Sequence, residues 1–153
     1  VEIGLVLRQA QINSLAVRES AASSGDKFDV GYGVYFDITN TTSYIYFADL
    51  DRDSTYDVGE ELSVVPLKND INIIQMCGFL PSERDYCTGS HSLSKIVILF
   101  RRPDSKARIR FLNSAGSDIA SVSAPAEIEI RYREERAGGR ATIRVQENGQ
   151  IDS

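Results

Sequence analysis

The sequence predicts an α+β domain in which one N-terminal amphipathic helix packs on antiparallel β-sheet. Three observations predict it. Apolar and small residues recur at three- and four-residue steps only over the first twenty or so positions. After Gly25 the pattern changes to short alternating runs punctuated by Gly, Asn, Ser and Pro. Two late runs flank Ala137-Gly138-Gly139, which reads as a hairpin turn between neighbouring antiparallel strands. With 153 residues, 42% hydrophobic and 25% charged, the chain is long enough for one real core and ordinary for a folded domain.

The helix comes first. Ile3, Val6, Leu7, Ala10, Ser14, Val17 and Ala21 make one stripe, with Arg8, Gln9, Gln11, Arg18 and Glu19 mostly on the other face. Ser20-Ala21-Ala22-Ser23-Ser24-Gly25 ends it, Gly25 supplying the C-terminal stop. No N-capping residue precedes Val1 and the periodicity is already in phase there, so the helix reads as cut rather than started. This divides the chain into a helical segment, 1–25, and a β domain, 26–153. Expected strands lie at 28–37, 43–48, 62–65, 71–76, 93–101, 107–112, 118–122, 126–133 and 140–146. Ile128, Ile130 and Tyr132 alternate with Glu127, Glu129, Arg131 and Arg133, giving the last hairpin one wet face. Asn113-Ser114-Ala115-Gly116 marks a tight turn. No run approaches the ~18 consecutive apolar residues of a membrane helix.

The net charge of −5 conceals two poles. Residues 26–70 hold ten acids against three bases, and residues 101–144 hold ten bases against six acids. The acidic pole contains the sharpest motif, Asp49-Leu50-Asp51-Arg52-Asp53-Ser54-Thr55-Tyr56-Asp57-Val58-Gly59-Glu60. Counted from Asp49, side-chain carboxylates fall at positions 1, 3, 5, 9 and 12, with Thr55 offering its carbonyl at 7, which is the ligand spacing of an EF-hand-type Ca²⁺ loop. Asp49, Asp51, Asp53, Thr55, Asp57 and Glu60 are thus the candidate ligands, and carboxylates this crowded repel one another without a cation. Ser54 stands at position 6, where the turn ordinarily takes Gly. The alternative is a solvated acidic loop joining two strands.

Cys77 and Cys87, the only cysteines, bracket a turn-rich stretch and predict a disulfide in an oxidising compartment, worth about 3 kcal/mol for a ring of this size. Their spacing matches no zinc or redox motif. His91, the sole histidine, lies between two serines and reads as a loop residue, not a general base. With no nucleophile elbow, phosphate-binding glycine loop or HExxH, catalysis and a small-molecule substrate are not expected. Arginines of the basic pole alternate with acids, which predicts a salt-bridged wet face ahead of a phosphate-binding one.

The order of these features resembles the soluble part of type IV pilin-like proteins, the pseudopilins and minor pilins of the GspH/FimT type. Three stretches carry the resemblance: the helical run from Leu7 to Glu19; Gly31-Tyr32-Gly33-Val34-Tyr35-Phe36-Asp37, similar to a Gly-Trp-x-x-Phe-x-Asp strand; and the ending Ala141-Thr142-Ile143-Arg144-Val145 through Ile151. The resemblance implies a structural filament subunit of a type IV pilus or a type II secretion pseudopilus. Its helix would continue upstream into the membrane and then pack against other pilin subunits. The globular part would be displayed outside the cell, anchored in the inner or cytoplasmic membrane before assembly. Ca²⁺ occurs in related pseudopilin domains. The alternative it implies is a minor pilin that binds DNA during uptake, through Arg131, Arg133, Arg140 and Arg144. The Gly-Arg-x-Arg motif of such members is only half present, since Gly139-Arg140-Ala141-Thr142 has Thr142 in the second arginine's place.

Overall fold

The computed structural model describes residues 2–15, 30–68, 71–82, 85–101, 106–132 and 139–153. The expected helix end near Gly25, the start of the first expected strand, and Arg133 lie outside the described residues. Helix α1 is Glu2–Leu15. The strands are β1 (Gly31–Asp37), β2 (Ser43–Asp49), β3 (Glu61–Pro66), β4 (Ile71–Phe79), β5 (Asp85–Cys87), β6 (Lys95–Phe100), β7 (Ala107–Leu112), β8 (Ser123–Tyr132), β9 (Arg140–Val145) and β10 (Ile151–Asp152). They form two five-stranded sheets, ordered β3-β2-β1-β6-β7 and β10-β9-β8-β4-β5, and the pairings within both are antiparallel.

This corrects the expected α+β, helix-on-sheet, pilin-like class: the protein is mainly β, with a single short helix among the described residues. The physical reason is which surfaces meet. One core holds Val34, Phe36, Tyr44, Ile96, Ile98 and Phe100 of the first sheet together with Ile73, Met76, Ile128, Ile130, Ile143 and Val145 of the second. Alternation sends these side chains to one face of each sheet, and two such faces bury each other. The helix adds Ile3, Leu7 and Ala10 to that core and lies against β1, with its edge near β10. The inner face of the first sheet is therefore shared between the helix and the second sheet.

The first sheet is buried on both sides at its centre. In β6, Ile96, Ile98 and Phe100 point into the main core, while Val97 and Leu99 join Phe47 and Leu112 in a smaller cluster on the outer face. An uninterrupted apolar run is what a strand covered on both faces requires. Backbone approach is close where glycine allows it. A Cβ on Gly33 would lie 2.8 Å from the Phe47 ring, and one on Gly78 would lie 2.3 Å from Val122 Cγ1 and 2.6 Å from Phe111 Cε1.

The hairpin expected over 126–146 forms as β8 and β9, with Ile128 opposite Ile143. Cys77 and Cys87 lie directly opposite each other in β4 and β5 and are joined by a disulfide, their Cα atoms 4.1 Å apart. The turn at Asn113 forms as expected: its Oδ1 accepts the amides of Ala115 and Ser117, each at 3.0 Å, and Gly116 takes a φ of +81°. The strand expected at 118–122 is not one. Asp118 makes a single bridge to Leu112, and the Val122 amide turns back to the Ile119 carbonyl at 3.2 Å.

Gly78→Ala drives a methyl group into packed side chains, and overpacking of this kind costs about 1–3 kcal/mol. Urea unfolding should show that loss with an unchanged slope; a midpoint equal to that of the unmodified protein contradicts this packing.

Candidate metal centre

The acidic motif is the connection between β2 and β3, and it is built on the outer face of the first sheet. Asp49, the last residue of β2, is completely buried, and Arg101, directly after β6, reaches across β1 to pair with it through Nη2 and Oδ2. Gly31, opposite Asp49 in the register, is the strand residue crossed. Leu99 packs against its backbone, where a Cβ would be 3.0 Å from Leu99 Cδ1. The loop then lies over this face. Tyr56 sits with its ring centroid 5.0 Å from Tyr35 and 5.6 Å from Phe47, and Arg110 of β7 donates from Nη1 to the Asp53 carbonyl at 3.3 Å.

Inside the loop the carboxylates hold the backbone. Glu60 accepts the Leu50 and Asp51 amides on Oε1, at 2.7 and 3.3 Å, and the Asp57 amide on Oε2 at 3.1 Å. Asp49 Oδ2 accepts the Ser54 amide at 3.2 Å. Asp51 Oδ1 accepts from the Asp53 amide at 3.1 Å, and Asp53 Oδ1 from the Thr55 amide at 2.8 Å. These are the local bonds that make Asp and Glu loop formers. Ser54 does adopt the left-handed turn for which glycine is the usual residue, at a φ of 65°, and Arg52 does the same at 68°. The bond from the Ser54 amide to buried Asp49 fixes that conformation.

Five of the six expected ligands fall into two overlapping groups of acids. Asp49, Asp51 and Asp53 each place a carboxylate oxygen within 4.8 Å of the others, and Asp51, Asp57 and Glu60 form a second such group, so this cluster of acids could hold a metal ion. Thr55, expected to offer its carbonyl, is seen engaged through its amide. Burial pushes the Asp49 carboxyl above the usual carboxylate range, against the opposing pull of Arg101 and the Ser54 amide. Partial desolvation, and then the charges of Asp53, Asp51 and Glu60, push Asp57 up as well. Backbone amides, including that of Gly59, hold Glu61 below the usual range.

Arg101 is the residue that sequence reasoning missed. It had been grouped with the basic pole, and no local pattern connects it to an aspartate 52 positions earlier. The only trace is its place at the end of a strand that is apolar on both faces.

The other candidates are placed elsewhere. On the wet face of the β8–β9 hairpin, Arg144 pairs with Glu127, Arg140 with Glu129 at 3.2 Å, and Arg131 stands opposite Arg140. His91 accepts the Cys87 amide on Nδ1 at 3.2 Å and stacks on Tyr86 with ring centroids 4.3 Å apart, so it braces the disulfide loop. A cavity of about 460 Å³ beside the loop is lined by Ser54, Arg108, Arg110, Val122, Ser123 and Glu147, among others.

Compared with protein-family models, curated proteins and solved structures, the chain matches none. Fold and loop together define a two-sheet β domain, closed by one disulfide, with an acidic cluster on its outer face.

Removing the Glu60 carboxylate with Glu60→Ala strips three backbone amides of their acceptor, at about 1–3 kcal/mol for such unmade bonds. Hydrogen exchange should accelerate at Leu50, Asp51 and Asp57 before the sheet amides respond; unchanged protection there contradicts the assignment. A second measurement concerns Asp118, which Arg110 holds below the usual range through bonds of 2.9 and 2.5 Å. A carboxyl with a depressed folded pKa stabilises above its unfolded value and loses that contribution as pH falls through the folded one. The pair is part-exposed, so Asp118→Asn should cost at most about 1 kcal/mol at pH 7 and less near pH 2, read from urea midpoints at both pH values.

Proposed function

We propose that this chain is the exported globular part of a structural filament subunit, of a type IV pilus or a type II secretion pseudopilus. The observation that carries the reading is that α1 is apolar on two sides. Ile3, Leu7 and Ala10 are buried against the strands, whereas Leu5, Ile12 and Leu15 are 60%, 56% and 41% exposed. A helix serving only its own domain places polar residues on the side away from the core. Leu5 and Ile12 stand seven positions apart, two full turns along one side of the helix. Exposed leucine and isoleucine at that spacing suit a helix with a second packing partner, and the partner of this reading is the helix of a neighbouring subunit. The three sequence stretches that resemble pilin-like proteins support the same function.

The disulfide supports export, because such bonds persist outside the reducing cytosol. For the acidic cluster we infer Ca²⁺. The ligands are all oxygen, which excludes the softer metals, and an irregular loop suits the flexible coordination of Ca²⁺ better than the strict octahedron of Mg²⁺. DNA binding finds less support, because Arg140 and Arg144 already pair with Glu129 and Glu127.

The test uses the whole chain in cells that produce it. Leu5→Glu combined with Ile12→Glu should leave stability within about 0.5 kcal/mol, as exposed substitutions do. The same pair should remove the protein from filaments sheared off the cell surface. Equal recovery of variant and unmodified chain in that fraction, or absence of the unmodified chain from it, overturns the proposal.

A further inference from the structure

The acidic loop contains two overlapping oxygen clusters, and the chemistry around them separates one from the other. Asp49 is fully buried, and its two oxygens are unequally used: Oδ2 takes Arg101 and the Ser54 amide, while Oδ1 has no hydrogen-bond partner among the described residues. A buried carboxylate oxygen without a partner bears the cost of lost water with nothing in return. The acids that bring oxygens within 4.8 Å of Asp49 are Asp51 and Asp53, both exposed, so the gap between the three is approachable from solvent. Glu60 is in the opposite situation. Three of its four lone-pair positions are taken by backbone amides, so it has one left to offer an ion, where Asp49 has a whole oxygen.

We infer that the loop binds one divalent cation on Asp49 Oδ1, Asp51 and Asp53, with Arg101 as the positioning residue that turns Oδ1 toward the ion and limits its affinity. This rests on the Ca²⁺ reading above and assigns its geometry. Three carboxylates offset by one guanidinium leave two negative charges, which a divalent ion neutralises and a monovalent ion does not. The guanidinium and the Ser54 amide take Oδ2 of Asp49, so the carboxylate contributes one oxygen where a free one could contribute two. Waters complete the shell on the solvent side, and such partly hydrated sites belong to the weak class of extracellular modules, at about 10⁻⁴–10⁻³ M.

The experiment is Ca²⁺ titration of the folded protein by calorimetry, with Tb³⁺ luminescence sensitised by Tyr56 as a second readout. Asp53 and Asp57 are both exposed, so Asp53→Asn and Asp57→Asn leave the fold intact. Asp53→Asn should weaken binding about tenfold or more, the effect of deleting a charge in direct contact with the ion, while Asp57→Asn, which removes a charge beside Asp51 and Asp53 but no ligand, should weaken it less. Arg101→Gln should tighten binding about tenfold, and Arg101→Lys, which keeps the charge, should return it toward the original value. A structural role alone would weaken binding in both. If Arg101→Gln does not fold, the Asp53 and Asp57 pair decides by itself. Absence of Ca²⁺ heat and of Tb³⁺ luminescence at about 10 mM overturns the Ca²⁺ reading and this assignment with it. Binding that survives Asp53→Asn and is lost in Asp57→Asn keeps the Ca²⁺ reading and overturns the assignment.

Discussion

The Asp49–Arg101 ion pair is the constraint around which one side of the molecule is arranged. Both groups leave water, Asp49 entirely and the Arg101 side chain to 10% exposure. Pairs of this kind are expensive to desolvate and weak as a net source of stability, yet losing either partner strands a buried charge at several kcal/mol. Each neighbour therefore answers to the pair. β1 carries Gly31 where the two side chains meet across it, the Ser54 amide supplies a second donor, and the loop of 50–60 closes over the top. The loop is shaped less by repulsion among its acids than by their bonds to its own amides.

A second consequence is that the first sheet works on both faces. Its inner face meets the second sheet and α1, and its outer face carries the small cluster of Phe47, Val97, Leu99 and Leu112 beneath Tyr56. Gly33 is what lets the Phe47 ring rest directly on β1. A side chain there would lift the ring, and with it the Tyr56 contact that seats the loop. The geometry of the acidic cluster thus depends on an apolar contact that contains no charge.

Elements whose pattern is local were legible in the sequence. β1, β2, β6, β7 and the β8–β9 hairpin follow from alternation or unbroken apolar runs, and the Asn113 turn from its residues. β5 and β10, three and two residues long, carry too short a period to be seen. At 118–122 apolar residues suggested a strand, but the segment spends its backbone bonds on a turn and its carboxylate on Arg110. The fold class was misjudged because periodicity reports that a face is apolar and not what covers it. The stripe on α1 is real, but most of the core is sheet against sheet. For the same reason the ligand spacing around Asp49 was readable and Arg101 was not, since their meeting is set by the β2-β1-β6 order.

That order also separates the molecule's two distinctive surfaces. Asn13 of α1 donates to the Tyr46 hydroxyl at 2.6 Å, and Tyr46 stands opposite Val34 in the register, on the inner side of the first sheet. Tyr56 stacks on Tyr35, on the outer side. The helix and the acidic loop therefore contact opposite faces of β1. Sites so arranged respond independently to substitution, and energies at one add to those at the other with little coupling. On the filament proposal, a subunit held through α1 would keep the acidic loop on the far side of the sheet, where packing of the helix does not reach it. Display and assembly would, on that proposal, be separable in one small β domain, divided by the thickness of a single sheet.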